Sequence, residues 1–170
     1  MQPIRISLGL VALASAVAFT RPGATIGAGS SFNASVFGAV TAAASGTAVY
    51  GRVRGDERSP AFTISLGGAE AGPSILFTRQ GGPLTPGTYP ITDEDSPAGV
   101  RALVMTGSAH RPDGVFRADS GVLTVTAATD SSLSGEFRLR AGGFVADAPA
   151  DEGRRITASG RFDAVPGPRQ

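Results

Sequence analysis

Gly121-Val-Leu-Thr-Val-Thr-Ala-Ala-Thr-Asp-Ser-Ser-Leu-Ser-Gly-Glu-Phe-Arg-Leu-Arg-Ala141 consists of two alternating runs on either side of a polar turn at Thr129-Asp130-Ser131. In the first run Leu123 and Val125 share a face, with Val122, Thr124 and Thr126 on the other. In the second, Phe137, Leu139 and Ala141 face one way and Glu136, Arg138 and Arg140 the other. Successive side chains of a strand point to opposite sides. Period two on both flanks of a turn therefore predicts an antiparallel hairpin with one dry and one wet face. Its outward residues suit solvent and cross-strand pairing, with Arg138 and Arg140 expected across from Asp163 of the last strand.

The same pattern recurs along the chain. Phe32, Ala34, Val36, Gly38 and Val40 line one face of a first strand, and Ala43-Ala44-Ser45-Gly46 reads as the turn after it. A second run, Thr47 to Val53, buries either Val49, Gly51 and Val53 or Ala48 and Tyr50. Ala61 to Leu66 places Phe62, Ile64 and Leu66 against Thr63 and Ser65, and Ser74 to Arg79 returns after a glycine-rich turn. In Thr88 to Thr92, Pro90 has no amide hydrogen, which puts this strand at a sheet edge or keeps it very short. Val100 to Thr106 and Val115 to Asp119 flank a turn at Gly107–Gly114, and Gly142 to Arg154 reads as a long loop. In the final strand, Arg155 to Ala164, Ile156, Ala158, Gly160 and Phe162 face inward. Nowhere after residue 20 does a helical period persist. About nine short strands predict an all-β domain, an antiparallel β-sandwich, with a closed antiparallel β-barrel as the alternative.

The first eighteen residues have a different character. One positive charge at Arg5 precedes the apolar run Ile6 to Ala18, which ends in small residues at Ala16 and Ala18 with A-x-A spacing. This is the pattern of a secretory signal cleaved after Ala18, and Arg21-Pro22 cuts the run short of a membrane span. The predicted organisation is a signal over 1–18, a flexible leader over 19–30, a single domain over 31–165 and a frayed tail over 166–170. About 150 residues then remain, enough for one domain to bury most of its apolar surface. The absence of cysteine leaves an exported fold without disulfides and removes thiol chemistry and cysteine-ligated metals. The basic residues are all arginine, as a GC-rich bacterial genome would encode. Loss of Arg5 takes fifteen basic residues to fourteen, against fourteen acidic ones. A near-neutral chain without a basic run carries no electrostatic footprint for nucleic acid or anionic lipid.

No stretch brings together a reaction's worth of residues. His110 is the one histidine, with Ser108 and Asp113 near it in sequence. A catalytic triad, however, needs a base held between nucleophile and carboxylate, and Ser, Asp and Gly are ordinary turn residues. Asp93, Glu94 and Asp95, and the acidic residues Asp147, Asp151 and Glu152, lack the alternating spacing that converges oxygens on calcium. Arg54-Gly55-Asp56 is an adhesion-type tripeptide explained equally by a polar turn. Asn33-Ala34-Ser35 spells a glycosylation acceptor. Without tryptophan, and with tyrosine only at Tyr50 and Tyr89, the chain is poorly supplied with stacking platforms for sugars.

No catalytic, cofactor-binding or metal residue is therefore assigned, and no cofactor is implied. The expected protein is an exported, non-enzymatic binding or structural module, periplasmic or secreted. Its partner is a protein or small molecule, not nucleic acid, and the mature chain has no membrane span. The alternative is a small β-barrel that carries an apolar ligand, with Gly38, Gly51, Ala141, Ala158 and Gly160 leaving room inside. The loops at 67–73, 80–87, 92–98 and 142–154 are the expected contact points, held in place by the hairpin. N-terminal sequencing of the exported product is expected to begin at Phe19; a product beginning at Met1 would exclude cleavage.

Overall fold

Apolar–polar alternation becomes nine strands, with no helix, in the computed structural model, which describes residues 29–53, 61–68, 72–94, 96, 98–108, 111–146 and 153–167. The strands are β1 (Ser31–Gly38), β2 (Ala42–Val53), β3 (Ala61–Gly68), β4 (Ser74–Gln80), β5 (Gly87–Thr92), β6 (Arg101–Ser108), β7 (Arg111–Ala128), β8 (Leu133–Val145) and β9 (Arg154–Pro166). Neighbours pair antiparallel in the order β1-β2-β3-β4-β6-β7-β8-β9, and β9 returns to β1 in continuous register from Ser31↔Asp163 to Gly38↔Ile156. The sheet closes into an eight-position barrel. Of the two all-β arrangements the sequence allows, the closed barrel forms and the sandwich does not. Alternation specifies a dry face, and closure depends on pairing between the chain's two ends.

β5 is the ninth strand. It pairs with Ser120–Val125 of β7, while β6 pairs with Arg111–Arg117 of the same strand. Both lie antiparallel to β7, so together they occupy one barrel position, interrupted between Thr92 and Arg101. The interruption is stitched by Thr92 N–H to the Val100 carbonyl at 3.1 Å and by Val100 N–H to the Pro90 carbonyl at 2.9 Å. Pro90 is exposed on this edge strand, where its missing N–H costs no ladder bond. Register shifts at Ala118/Ser120 and Val125/Ala127 let the 18-residue β7 bend to serve both partners.

The lumen is filled by side chains in cross-strand layers. One layer runs Gly46, Phe32, Phe162, Gly135 and Val125 across β2, β1, β9, β8 and β7; the next runs Ala44, Ala34, Gly160, Phe137 and Leu123. At three places a phenylalanine stands opposite a glycine. Phe137 faces Gly160, Phe162 faces Gly135, and Phe116 faces Gly143. The Phe77 ring of β4 meets that of Phe137 of β8 edge-on, with centroids 5.2 Å apart and planes at 63°. Leu84, in the connection from β4 to β5, is buried against the same core.

Several local expectations need correction. The first turn falls at 39–41, not 43–46: Gly38, with φ +124°, open to glycine, is exposed at the end of β1, while Val40 packs half-buried against the core as expected. Ala44 is buried inside β2, and that strand's inward face is Ala48 and Tyr50, with Val53 50% exposed. The strands are not all short, since Val115–Asp119 merges with the following run into β7. β8 reaches Val145 and β9 starts at Arg154, which takes both ends out of the expected 142–154 loop. β6 and β7 likewise consume most of the turn expected at Gly107–Gly114. Arg138 and Arg140 register against Ser159 and Thr157, not Asp163, which lies across from Ser134 and accepts its hydroxyl at 2.6 Å. The residue-to-residue offset of β8 and β9 depends on the length of their connection, which alternation does not reveal.

Gly160→Ala is expected to cost about 1–3 kcal/mol by overpacking. Its Cβ would meet the Asn33 carbonyl oxygen and lie 2.9 Å from Phe137 Cζ, whereas Gly82→Ala, with nothing within 4 Å, should change little. Urea unfolding followed by circular dichroism compares the two.

Candidate functional site

The alternation that points Phe137 and Leu139 into the lumen points Glu136, Arg138 and Arg140 out of it. Register then determines their neighbours around the barrel. Val122, Arg138, Ser159, Ser35 and Ala43 form one outward row across β7, β8, β9, β1 and β2. Thr124, Glu136, Arg161, Asn33 and Ser45 form the row beside it, and Ser120, Arg140, Thr157 and Phe37 form a shorter one on the other side. In the first row the long Arg138 of β8 thus stands beside short side chains on β9, β1 and β2, and in the second Arg161 of β9 stands beside the shorter Asn33 and Ser45.

That contrast in length makes a trough on the outer wall. Its larger part, about 880 Å³, covers the first two rows; a second part, about 460 Å³, covers the third and reaches Phe37. Arg138 and Ser159 line both, so the two depressions meet there. Phe37, 56% exposed, stands at the far end. A smaller depression of about 270 Å³ lies on another part of the wall, around Leu76, Leu103 and Arg117.

Charges along the trough are unevenly paired. Arg161 Nε lies 3.5 Å from Glu136 Oε2, and Arg155 pairs with Asp119. Both pairs are solvent-exposed and contribute little to stability. Arg138 and Arg140 have no hydrogen-bond or ion-pair partner among the described residues. Two guanidinium groups are therefore available at neighbouring outward positions of one strand, about 6.6–6.8 Å apart along it. Around them Thr157 and Ser159 supply hydroxyls that donate and accept, and Ser120, whose hydroxyl donates to Asp119 Oδ1 at 2.8 Å, supplies an acceptor.

His110, Asp95, Asp147, Asp151, Glu152 and Arg54–Asp56 lie outside the described residues. Ser108 ends β6, and Asp113 is exposed near the start of β7, its carbonyl accepting Ala146 N–H at 2.6 Å. Asp93 and Glu94 are exposed in the turn after β5. There the Asp93 carbonyl accepts from Arg117, and Glu94 N–H donates to Thr92 Oγ1 at 3.1 Å. No group of three or more His, Cys, Asp or Glu side chains placed to hold a metal occurs among the described residues. The 80–87 connection is tied to the barrel: the Arg79 guanidinium donates to the Gly82 carbonyl, and the Tyr89 hydroxyl donates to the Thr85 carbonyl at 2.8 Å. Asn33 of the glycosylation sequence is exposed in the trough. The floor residues Ser35, Ser45 and Ser159 escape sequence reasoning because they converge only through the β9–β1–β2 register. Their one signal is that three strands carry small polar residues at outward positions.

Comparison with protein-family models, with curated proteins and with solved structures finds no match. The geometry of the wall itself carries the functional argument.

Tyr50 lies away from the trough, tilted against Phe62 with ring centroids 5.8 Å apart, and donates its hydroxyl to the Asp130 carbonyl at 3.2 Å. Burial, and then the charge of Asp130, raises its pKa above the usual 10.0. A phenol whose pKa rises on folding stabilises fully below pH 10, and that contribution is lost as pH climbs through the folded value. Absorbance titration should show a late-ionising phenol that Tyr50→Phe removes, and the variant's stability should depend less on pH above 10.

Proposed function

We propose that this protein is an exported, non-enzymatic binding module of the cell envelope or extracellular space that holds its ligand on the outer wall of the barrel. The trough carrying Arg138 and Arg140 is the observation that supports this reading. A grooved wall with two unengaged cationic groups offers shape and charge, the two ingredients of recognition. The lumen favours the outer wall over an interior site: Phe137 and Phe162 cover the glycines opposite them, and Phe77 meets Phe137 edge-on across it. The lining favours binding over turnover, because its one carboxylate, Glu136, is engaged by Arg161. Export rests on the signal-like pattern of the first eighteen residues.

The wall also bears on membrane association. Among the described residues no helix is long and apolar enough to cross a bilayer. A barrel inserted in lipid turns an apolar band outward around a polar lumen. Here Arg138, Arg140, Glu136 and Arg161 lie outside and Phe32, Phe62, Phe77, Phe116, Phe137 and Phe162 inside, which is the reverse arrangement. An aqueous envelope compartment suits this surface better than the bilayer.

Ser159→Tyr fills the floor of the trough from an exposed position and leaves the lumen intact. In a screen of the exported chain against envelope polymers and small polar ligands, the variant is expected to lose the ligand the native chain binds, with an unchanged circular dichroism spectrum. Saturable uptake of an apolar probe such as a fatty acid, unaffected by Ser159→Tyr, would place the ligand in the lumen and overturn the proposal.

A further inference from the structure

We infer that the trough binds an acidic polysaccharide, with Arg138 and Arg140 each engaging a carboxylate of successive sugar units; this rests on the outer-wall reading above. The planar guanidinium fork matches a carboxylate with two parallel hydrogen bonds. The arginines stand in adjacent rows, and each row continues into hydroxyl-bearing residues, Ser159 and Ser35 in one and Thr157 in the other. Sugar hydroxyls both donate and accept, as serine, threonine and asparagine side chains do. A charged anchor beside a neutral hydrogen-bonding floor is the complement of a chain that alternates carboxylates with hydroxyls.

Extent and electrostatics point the same way. Three rows at two-residue spacing give the trough about 13 Å along β8, the direction that joins Arg138 to Arg140 and room for a short run of sugar units, and five strands about 4.8 Å apart give it about 19 Å across. A phosphate polymer would use the arginines and leave most of the floor unmatched, and Glu136 at the rim would repel its denser charge. For a glycan, Glu136 is an acceptor for a hydroxyl. A neutral glycan would have only Phe37 as an aromatic surface, since Tyr89 is tied to Thr85 and Tyr50 stands apart from the trough. Carboxylates give the wall a hold on sugar that does not depend on ring stacking.

The test is isothermal titration of the exported chain with oligogalacturonate at low salt, alongside a neutral oligosaccharide and inorganic polyphosphate. Arg138→Gln and Arg140→Gln are each expected to raise the dissociation constant roughly tenfold or more, the scale of one lost charge-assisted pair. The double variant should abolish binding, added salt should weaken it, and the exposed Arg52→Gln should leave it unchanged. Oligogalacturonate binding that survives the double variant, equal binding of the neutral oligosaccharide, binding of polyphosphate alone, or no binding at millimolar ligand would each overturn the inference. The two readings fail separately. A neutral ligand lost in Ser159→Tyr but kept in the arginine variants removes the acidic ligand and retains the outer-wall site. A ligand retained in Ser159→Tyr removes both.

Discussion

Two aromatic–glycine pairs between β8 and β9 are the contact on which this barrel depends. Phe137 lies across from Gly160 and Phe162 across from Gly135, so each ring covers the space that the opposite residue leaves empty. A Cβ at either glycine would press on the ring, 2.9 Å from Cζ in both cases, and would also collide with a backbone carbonyl of the next strand. The reciprocal placement allows two large side chains on neighbouring strands without crowding. It also brings Phe137 to the middle of the lumen, where Phe77 from the far wall meets it. A closed sheet of eight positions has an interior just wide enough for side chains to fill. Without cysteine, cohesion must come from such contacts, and a fully buried phenylalanine contributes about 1.5–3 kcal/mol by leaving water.

Closure imposes a second constraint, one of parity. An antiparallel meander can close on itself only with an even number of positions, and the described residues supply nine strands. β5 and β6 resolve the conflict by lying end to end along β7, and the bulges of β7 bend it to serve both. The cost is one short edge at β5, and Pro90 sits on it. An exposed edge invites pairing with another chain, and proline withholds the hydrogen-bond donor that such pairing needs.

The inward residues of β3, β8 and β9 were legible in the sequence because each strand alternates strictly and turns one face to the core. So was the edge position of β5, through Pro90. The first turn was misplaced because Ala43-Ala44-Ser45-Gly46 has turn-like composition, yet it runs through β2, where Ala44 and Gly46 face the lumen, Gly46 opposite Phe32, and Ala43 and Ser45 face out. Merging of Val115–Asp119 with the following run was hidden for a similar reason, since a bulge reads in sequence as a break in period. Barrel and sandwich differ only in whether the two ends of the chain pair, a relation spanning more than a hundred residues. The trough was beyond reach for the same cause. Arg138 and Arg140 were recognised as outward, but their neighbours follow from register, and a shift of two residues would have set Arg140 against Ser159.

The lumen and the trough are two consequences of one register. Because side chains alternate, any residue pairing that places Phe137 over Gly160 necessarily places Arg138 over Ser159 on the other side of the sheet. Core packing holds that offset with several buried aromatic contacts, so the outer rows inherit a rigidity that exposed serines and arginines would not have alone. A flat polar wall is ordinarily a poor binding surface, because long side chains lose entropy when they are ordered on a ligand. Here the strand backbone beneath Arg138 and Arg140 is held by buried neighbours Phe137, Leu139 and Ala141. The backbone that carries the arginines is already ordered, so in the proposed site only their side-chain torsions would remain to be fixed on a ligand whose charges repeat along a chain. In the proposed site the inward half of β8 would thereby be a condition for recognition by its outward half, although it would never meet the ligand.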